Sequence, residues 1–185
     1  MPIRGFSGDP LNPSDLKINT VDPHFAERIN RRKASKYPEI WSALDKVYDP
    51  ELPGLTLWDL GILQNIKKTD STLLVEITLT YSGCPAVGVM KQDIIKALQE
   101  SGIKQTIEVA VVLSPAWTTG WISPAGKQQL RDLNIAPPVE DEADISCPIC
   151  HSSHIKVISE FGSTACKALY QCTDCLEPFD YFKSF

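Results

Sequence analysis

Histidine is nearly missing from this chain: three residues in 185, His24, His151 and His154. All lie toward the ends, so no Cys/His or Ser/His pair can be assembled from the central hundred residues. A nucleophilic enzyme is therefore disfavoured, and a protein that is not an enzyme is expected. An excess of positive charge is missing too. Eighteen Lys and Arg stand against 23 Asp and Glu, with a net charge of -5 and a pI near 5.2. No general attraction to nucleic acid or to an anionic membrane follows from such a balance. Nor does any stretch approach the roughly 18 consecutive apolar residues of a membrane span. The first thirty residues lack the apolar run of a signal peptide, and a cytoplasmic protein is expected. In that compartment six cysteines read as metal or redox groups and not as disulfides.

What is present is enough apolar material, 43%, for one good core and a small second module. Residues 1–36 carry Pro2, Pro10, Pro13 and Pro23 and hold no sustained period, so they read as an N-terminal extension. Its basic end, Arg28, Arg31, Arg32, Lys33 and Lys36, is expected to be a solvated segment, the alternative being that it docks on the acidic remainder of the chain or on an acidic partner. From residue 37 the pattern changes. Pro38 suits a helix start, and Ile40, Trp41, Leu44, Val47 and Tyr48 form one apolar face to about residue 48. Asp49-Pro50 ends it. Thr56 can cap a short helix with Asp59 reaching back, and Gly61 stands where that helix would stop. Strands are expected over 62–68 and 73–80, joined at Asp70-Ser71, and a third over 106–113. Ser123-Pro124 opens a last helix to about Leu133. The fold class over 37–134 is α+β, one small mixed sheet packed with helices.

This domain is organised around Thr80-Tyr81-Ser82-Gly83-Cys84-Pro85-Ala86. Val75, Ile77 and Leu79 alternate behind it as a half-buried strand, while Val87, Met90, Ile94, Ala97 and Leu98 recur ahead of it at helical spacing. Pro85 fits the first helical position, which would set Cys84 at the N-cap, where backbone N–H groups and the helix dipole favour a thiolate. The other reading of Cys84 is a small buried hydrophobe. If the third strand lies parallel beside the second, the loop from Ser114 to Trp121 leaves the sheet at the same edge as Cys84. Trp117 and Trp121 are then shared between core and pocket wall.

Pro137-Pro138 and the acids Glu140, Asp141, Glu142 and Asp144 make residues 135–145 a linker. Residues 146–185 hold two C-x-x-C knuckles, Cys147/Cys150 and Cys172/Cys175. Their spacing fits a small β-rich zinc ribbon, a module that cannot fold on its apolar content alone. Structural zinc is expected, with iron or a cluster as the competing occupant. His151 and His154 are expected to be exposed bystanders. Lysine is sparse here, so a protein-docking face of Phe161, Tyr170, Phe179, Tyr181 and Phe182 is expected in place of a nucleic-acid surface. Cys166 belongs to neither knuckle.

Asp49-Pro50-Glu51, Asp59-Leu60-Gly61-Ile62 and Tyr81-Ser82-Gly83-Cys84-Pro85 together resemble the iron–sulfur assembly domain of cluster-targeting and Suf-associated proteins. Ser114-Pro115-Ala116-Trp117-Thr118-Thr119, Phe161-Gly162-Ser163-Thr164-Ala165-Cys166-Lys167 and Glu177-Pro178-Phe179-Asp180-Tyr181-Phe182 resemble, more narrowly, the PaaD family, which belongs to phenylacetyl-CoA epoxidase systems. The resemblance runs from about residue 38 onward. It implies an accessory protein of phenylacetate catabolism that matures the multicomponent monooxygenase, with the iron–sulfur reductase or the di-iron oxygenase component as client. Cys84 falls on the reactive cysteine of that family, and Asp49, Glu51 and Asp59 on its acidic positions. Turn and cap chemistry explain Asp49 and Asp59 equally well. Outside the knuckles one chain offers two thiols, Cys84 and Cys166, which is too few for a resident cluster. A transient cluster held across a homodimer, with Cys84 as primary and Cys166 as auxiliary ligand, is the expectation. The alternatives are a structural or electron-transfer role within the oxygenase complex and a cysteine-dependent enzyme.

Overall fold

The first strand, β1 (Leu63–Lys68), and β2 (Thr72–Ile77) form a hairpin around Asp70 and Ser71, with Thr69 N–H and Thr72 N–H closing the turn. Period-2 patterning sends Leu73, Val75 and Ile77 of β2 into the core while Glu76 and Asn65 meet on the other face. The computed structural model that reveals this describes residues 21–184. A third strand, β3 (Thr106–Val111), pairs with β2 in parallel, and the sheet order is β1-β2-β3.

Parallel pairing requires a crossover, supplied by the helix α3 (Val87–Glu100). Met90, Ile94 and Leu98 of that helix are buried on the sheet, and Gly102, at φ +89, ends the helical run in the left-handed conformation that glycine adopts freely. Two helices flank the sheet before it, α1 (Pro23–Lys33) and α2 (Pro38–Leu44), and a fourth follows, α4 (Pro124–Asp132). Ser123 caps α4, its hydroxyl accepting from the Gly126 N–H at 2.8 Å.

Three expectations differ from these elements. The helix from Pro38 ends at Leu44 and not near residue 48, because Lys46 N–H and Val47 N–H turn back onto Ala43 and Leu44 carbonyls and Tyr48 then bridges to Thr56. Residues 56–61 form a single turn instead of a short helix. Gly61 does end it at φ +81, and a Cβ there would meet Trp121 Cβ at 2.7 Å.

The basic segment is the third. Arg28 is only 2% exposed, with its guanidinium on the carbonyls of Trp121, Trp58 (2.8 Å) and Leu63 (3.3 Å). Arg32 is paired with Asp45. Part of this helix is therefore an anchor. A guanidinium is weakly hydrated and its flat faces suit aromatic rings, which is why a sequence that looks solvated can be buried.

The second sheet has the order β4-β7-β6-β5, from β4 (Ile135–Ala136), β5 (Ile155–Ser159), β6 (Lys167–Cys172) and β7 (Pro178–Phe182). The stretch read as a linker thus begins as a strand, parallel to β7. Phe182 belongs to the core of the first unit, 5.9 Å from Trp117 ring to ring. Among the described residues no helix is long and apolar enough to cross a membrane.

Candidate functional site

Parallel pairing of β2 and β3 brings the Cys84 turn and the loop after β3 to one edge of the sheet, as the sequence suggested. The helix begins later than expected. Its N-cap is Ala86, so Cys84 lies two residues before it and Pro85 is not the first helical residue. Only one N–H, that of Ala86, favours the Cys84 thiolate. Burial outweighs it, and with Glu51 and Asp49 nearby the thiol is pushed above its ordinary value of 9.0. Cys84 is therefore held as a thiol until something replaces its proton.

Cys84 opens into a cavity of about 60 Å³. Its walls come from loops and turns of the α+β domain and from the ribbon. Asp49, Glu51 and Tyr81 stand on one side, and Thr164, Cys166, Lys167 and Phe182 on the other. The thiol that belonged to neither knuckle has a location: Cys166 faces the same space as Cys84. Burial raises its pKa as well, while the Thr164 hydroxyl, 3.1 Å from the sulfur, and the charge of Lys167 act in the opposite direction.

Both ribbon motifs are spent on presenting that wall. Lys167 is buried, its ammonium 3.4 Å from the Asp180 carboxylate. Ser163 donates to Asp180, Gly162 N–H donates to the Lys167 carbonyl at 2.8 Å, and Lys183 N–H donates to the Cys166 carbonyl at 2.9 Å. Gly162 has no room for a side chain, since a Cβ would lie 2.8 Å from an Asp180 oxygen.

The acids divide into two kinds. Asp49 is on the cavity wall, yet its Oδ1 also accepts from Glu51 N–H (2.8 Å) and Leu52 N–H (3.0 Å), a turn of the Asx type. Burial raises its pKa. Glu51 is at the exposed rim. Asp59 is not among the cavity residues. It accepts from Thr56 Oγ1 and Ser123 Oγ, both at 2.6 Å, and so ties the single turn to the start of α4. Trp117 and Trp121 are both core, and Trp117 donates to the Leu60 carbonyl at 3.1 Å. Lys167 could be read from the sequence as a neighbour able to activate Cys166, but its burial and its pairing with Asp180 could not. The only signal was its place at the end of a Gly-Ser-Thr-Ala-Cys loop.

The second sulfur centre is different in kind. Cys147, Cys150, Cys172 and Cys175 gather their sulfurs within 4.8 Å of one another, with Cys147 to Cys175 at 3.7 Å and Cys150 to Cys172 at 3.5 Å. Tetrahedral zinc, with Zn–S near 2.3 Å, needs sulfurs about 3.8 Å apart. The fit is good. Cys172 is pulled down to about 7, first by the Cys175 N–H that points at its sulfur, while Cys150 and Cys175 are pushed up, so the crowded thiols share protons as a group that a metal would displace. His154 is turned to Asp174 at 3.1 Å, and His151 is exposed. Tyr170, Phe179, Tyr181 and Phe182 are buried, so the expected aromatic docking face is the interior of the ribbon and of the join, with Phe161 alone of the five exposed.

Comparison with known proteins gives two family matches. An iron–sulfur cluster assembly protein family matches residues 38–111, and a PaaD zinc beta ribbon domain matches residues 136–183. A protein of Escherichia coli K12, named as a putative component of 1,2-phenylacetyl-CoA epoxidase, is 44% identical over 151 residues, covering 78% of this chain and 91% of its own length. The chain belongs to the PaaD family. Its α+β domain is of the iron–sulfur assembly type, and a zinc ribbon follows it. A Bacillus subtilis protein named as an Fe-S protein maturation auxiliary factor is 34% identical over 80 residues, 43% of this chain and 78% of that one. A domain of unknown function from Bacillus anthracis, solved by crystallography, matches 57% of this chain and 95% of its own at 26% identity and a TM-score of 0.47.

Proposed function

We propose that this protein is an accessory factor that matures a multicomponent phenylacetyl-CoA epoxidase, passing an iron–sulfur cluster to its reductase or oxygenase component. The observation that carries the reading is the sharing of one cavity by Cys84, from the turn before α3, and Cys166, from the loop before β6 of the ribbon. Two thiols fall short of the four a cluster takes. The remaining ligands come from a second copy of the chain or from the client, and a cluster held in halves is easily released. Because burial keeps both thiols protonated, cluster arrival must displace their protons, which makes holding weak by construction. Zinc in the ribbon is structural and redox-silent, so it carries no electrons. The division of labour is then domain with Cys84 for cargo, and ribbon for the second thiol.

Anaerobic reconstitution of the zinc-loaded chain with iron and sulfide tests this, followed by transfer to the apo reductase component. Cluster absorbance should fall in Cys84→Ser and weaken in Cys166→Ser, with zinc retained in both. Full absorbance and full transfer in both variants would leave only a protein-binding scaffold.

A further inference from the structure

A strand at the margin of a sheet leaves a row of backbone N–H and C=O groups without partners, and folded chains blunt such a margin with a bulge, a lysine, a cover or extreme shortness. Among the described residues there are four margins, since the two sheets have the orders β1-β2-β3 and β4-β7-β6-β5. Three are blunted. β1 has a break in register between Leu63 and Asn65, carries Lys67 and Lys68, and has its Leu63 and Gln64 carbonyls covered by Arg28 and Arg31 of α1. β4 is two residues long. β5 carries Lys156 and a break between Val157 and Ser159.

β3 has none of these devices. It runs in unbroken register with β2 from Thr106 to Val111, and its sequence, Thr-Ile-Glu-Val-Ala-Val, holds neither lysine nor proline. Thr106 N–H and Val112 N–H donate inward, to the Ser71 and Ile77 carbonyls. By the alternation of a strand, the N–H and C=O groups of Ile107, Val109 and Val111 point outward, and no described residue bonds to them. The core is open on the same side. Leu73, Val75 and Ile77 of β2 are at most 1% exposed, whereas their register partners Ile107, Val109 and Val111 are only partly buried, and Leu113 just beyond is 73% exposed.

A second β3 fits this margin. Turned about a two-fold axis at Val109, Ile107 meets Val111 of the second copy, Val109 meets its own counterpart, and all three outward residues exchange both backbone groups. Glu108, the one charge on the strand, then faces the neutral Ala110 of the second copy, while centring the pair one residue earlier would set Glu108 against Glu108. The joined sheet has the order β1-β2-β3-β3-β2-β1, and both its margins are the blunted β1. The contact therefore closes as a dimer and does not propagate.

We propose that two copies of this chain join through β3, antiparallel about Val109, into one sheet, and that their Cys84 cavities consequently act separately. The ends of β2 from which the two Cys84 turns leave point in opposite directions. The two Ile77 positions come about 20 Å apart, and the turns follow beyond them. That is too far for one cluster to bridge. The ligands that Cys84 and Cys166 lack then come from the client, a step that rests on the proposed function above. The pairing itself does not.

Sedimentation equilibrium of the zinc-loaded full chain tests the pairing, with a dimer of micromolar or tighter dissociation constant expected. Val109→Pro removes an outward N–H and should leave a folded monomer. Ala110→Glu sets a carboxylate against Glu108 of the other copy, twice per dimer, and should weaken association at least about tenfold, whereas Ala110→Lys should keep or tighten it. These two variants decide the matter should Val109→Pro fail to fold. A natural chain that stays monomeric throughout the micromolar range would overturn the proposal. So would a dimer that Ala110→Glu leaves intact, or that Ala110→Lys weakens equally.

The monomeric Val109→Pro chain should still pass cluster to the apo reductase component. Loss of transfer there, with zinc retained, would mean that the copies share one cluster and would overturn the separateness of the cavities. Failure of the natural chain to accept a cluster would count against the maturation role and leave the pairing standing.

Discussion

The guanidinium carbon of Arg28 lies 4.1 Å from the centroid of the Trp58 ring, and that of Arg32 lies 4.7 Å from it. Trp58 in turn meets Trp41 edge-on at 5.4 Å. This stack fastens α1 to the α+β domain. Arg28→Met keeps most of the side-chain volume and removes the donors to three carbonyls. A loss of about 2–3 kcal/mol is expected. Urea denaturation should show it as a lower midpoint, and trypsin should cut α1 faster in the native protein.

Asp59 is an architectural acid. Asp59→Ala strands the hydroxyls of Thr56 and Ser123 and should cost about 2 kcal/mol. Cluster uptake by the fraction that remains folded should be unchanged. A folded Asp59→Ala protein unable to take up cluster would return this residue to the site.

Asp49 carries a stability signature with a definite sign. Its folded pKa is raised above 3.8, chiefly by burial, so the unfolded chain ionises first. Ionisation therefore opposes folding increasingly as pH rises from 3.8 through the folded value, and the cost is constant above that. Asp49→Asn keeps an oxygen for the Glu51 and Leu52 N–H groups. It should be more stable than the natural chain at about pH 7, with the difference vanishing at about pH 3. Thermal melts at the two pH values decide it.

Thiol reactivity should be low at Cys84 despite its nearness to a helix start. With the folded pKa above 9.0, iodoacetamide should modify it slowly at neutral pH and faster as alkali is added. A plateau in rate already reached near neutral pH would contradict the burial argument.

Removing zinc should reach the cavity. Cys172→Ser, or a strong chelator, takes away the metal on which the small ribbon depends. Near-UV circular dichroism should change, since Phe182 packs on Trp117. Cys166 should become freely alkylated.

Much of this was readable beforehand, for reasons that differ by element. Alternation in Leu73, Val75 and Ile77 and helical spacing in Met90, Ile94 and Leu98 are local, so both elements emerged from the sequence. The C-x-x-C pairs were legible because metal geometry imposes their spacing. Cys166 stayed ambiguous because its neighbour Cys84 is distant in the chain. Arg28 misled because burial of a guanidinium depends on carbonyls and rings supplied by residues 58, 63 and 121. The burial of Lys167 was invisible for the same reason, its partner Asp180 sitting across the β6–β7 pairing. Pro85 pointed slightly too early, since proline is as comfortable just outside a helix as at its first position.

The pairing of Phe182 with Trp117 has a temporal consequence. Ribosomes deliver Cys84 well before Cys166, Lys167 and Phe182. A nascent chain therefore displays its first thiol for some time with no opposite wall, and the cavity exists only once β7 has been made and packed.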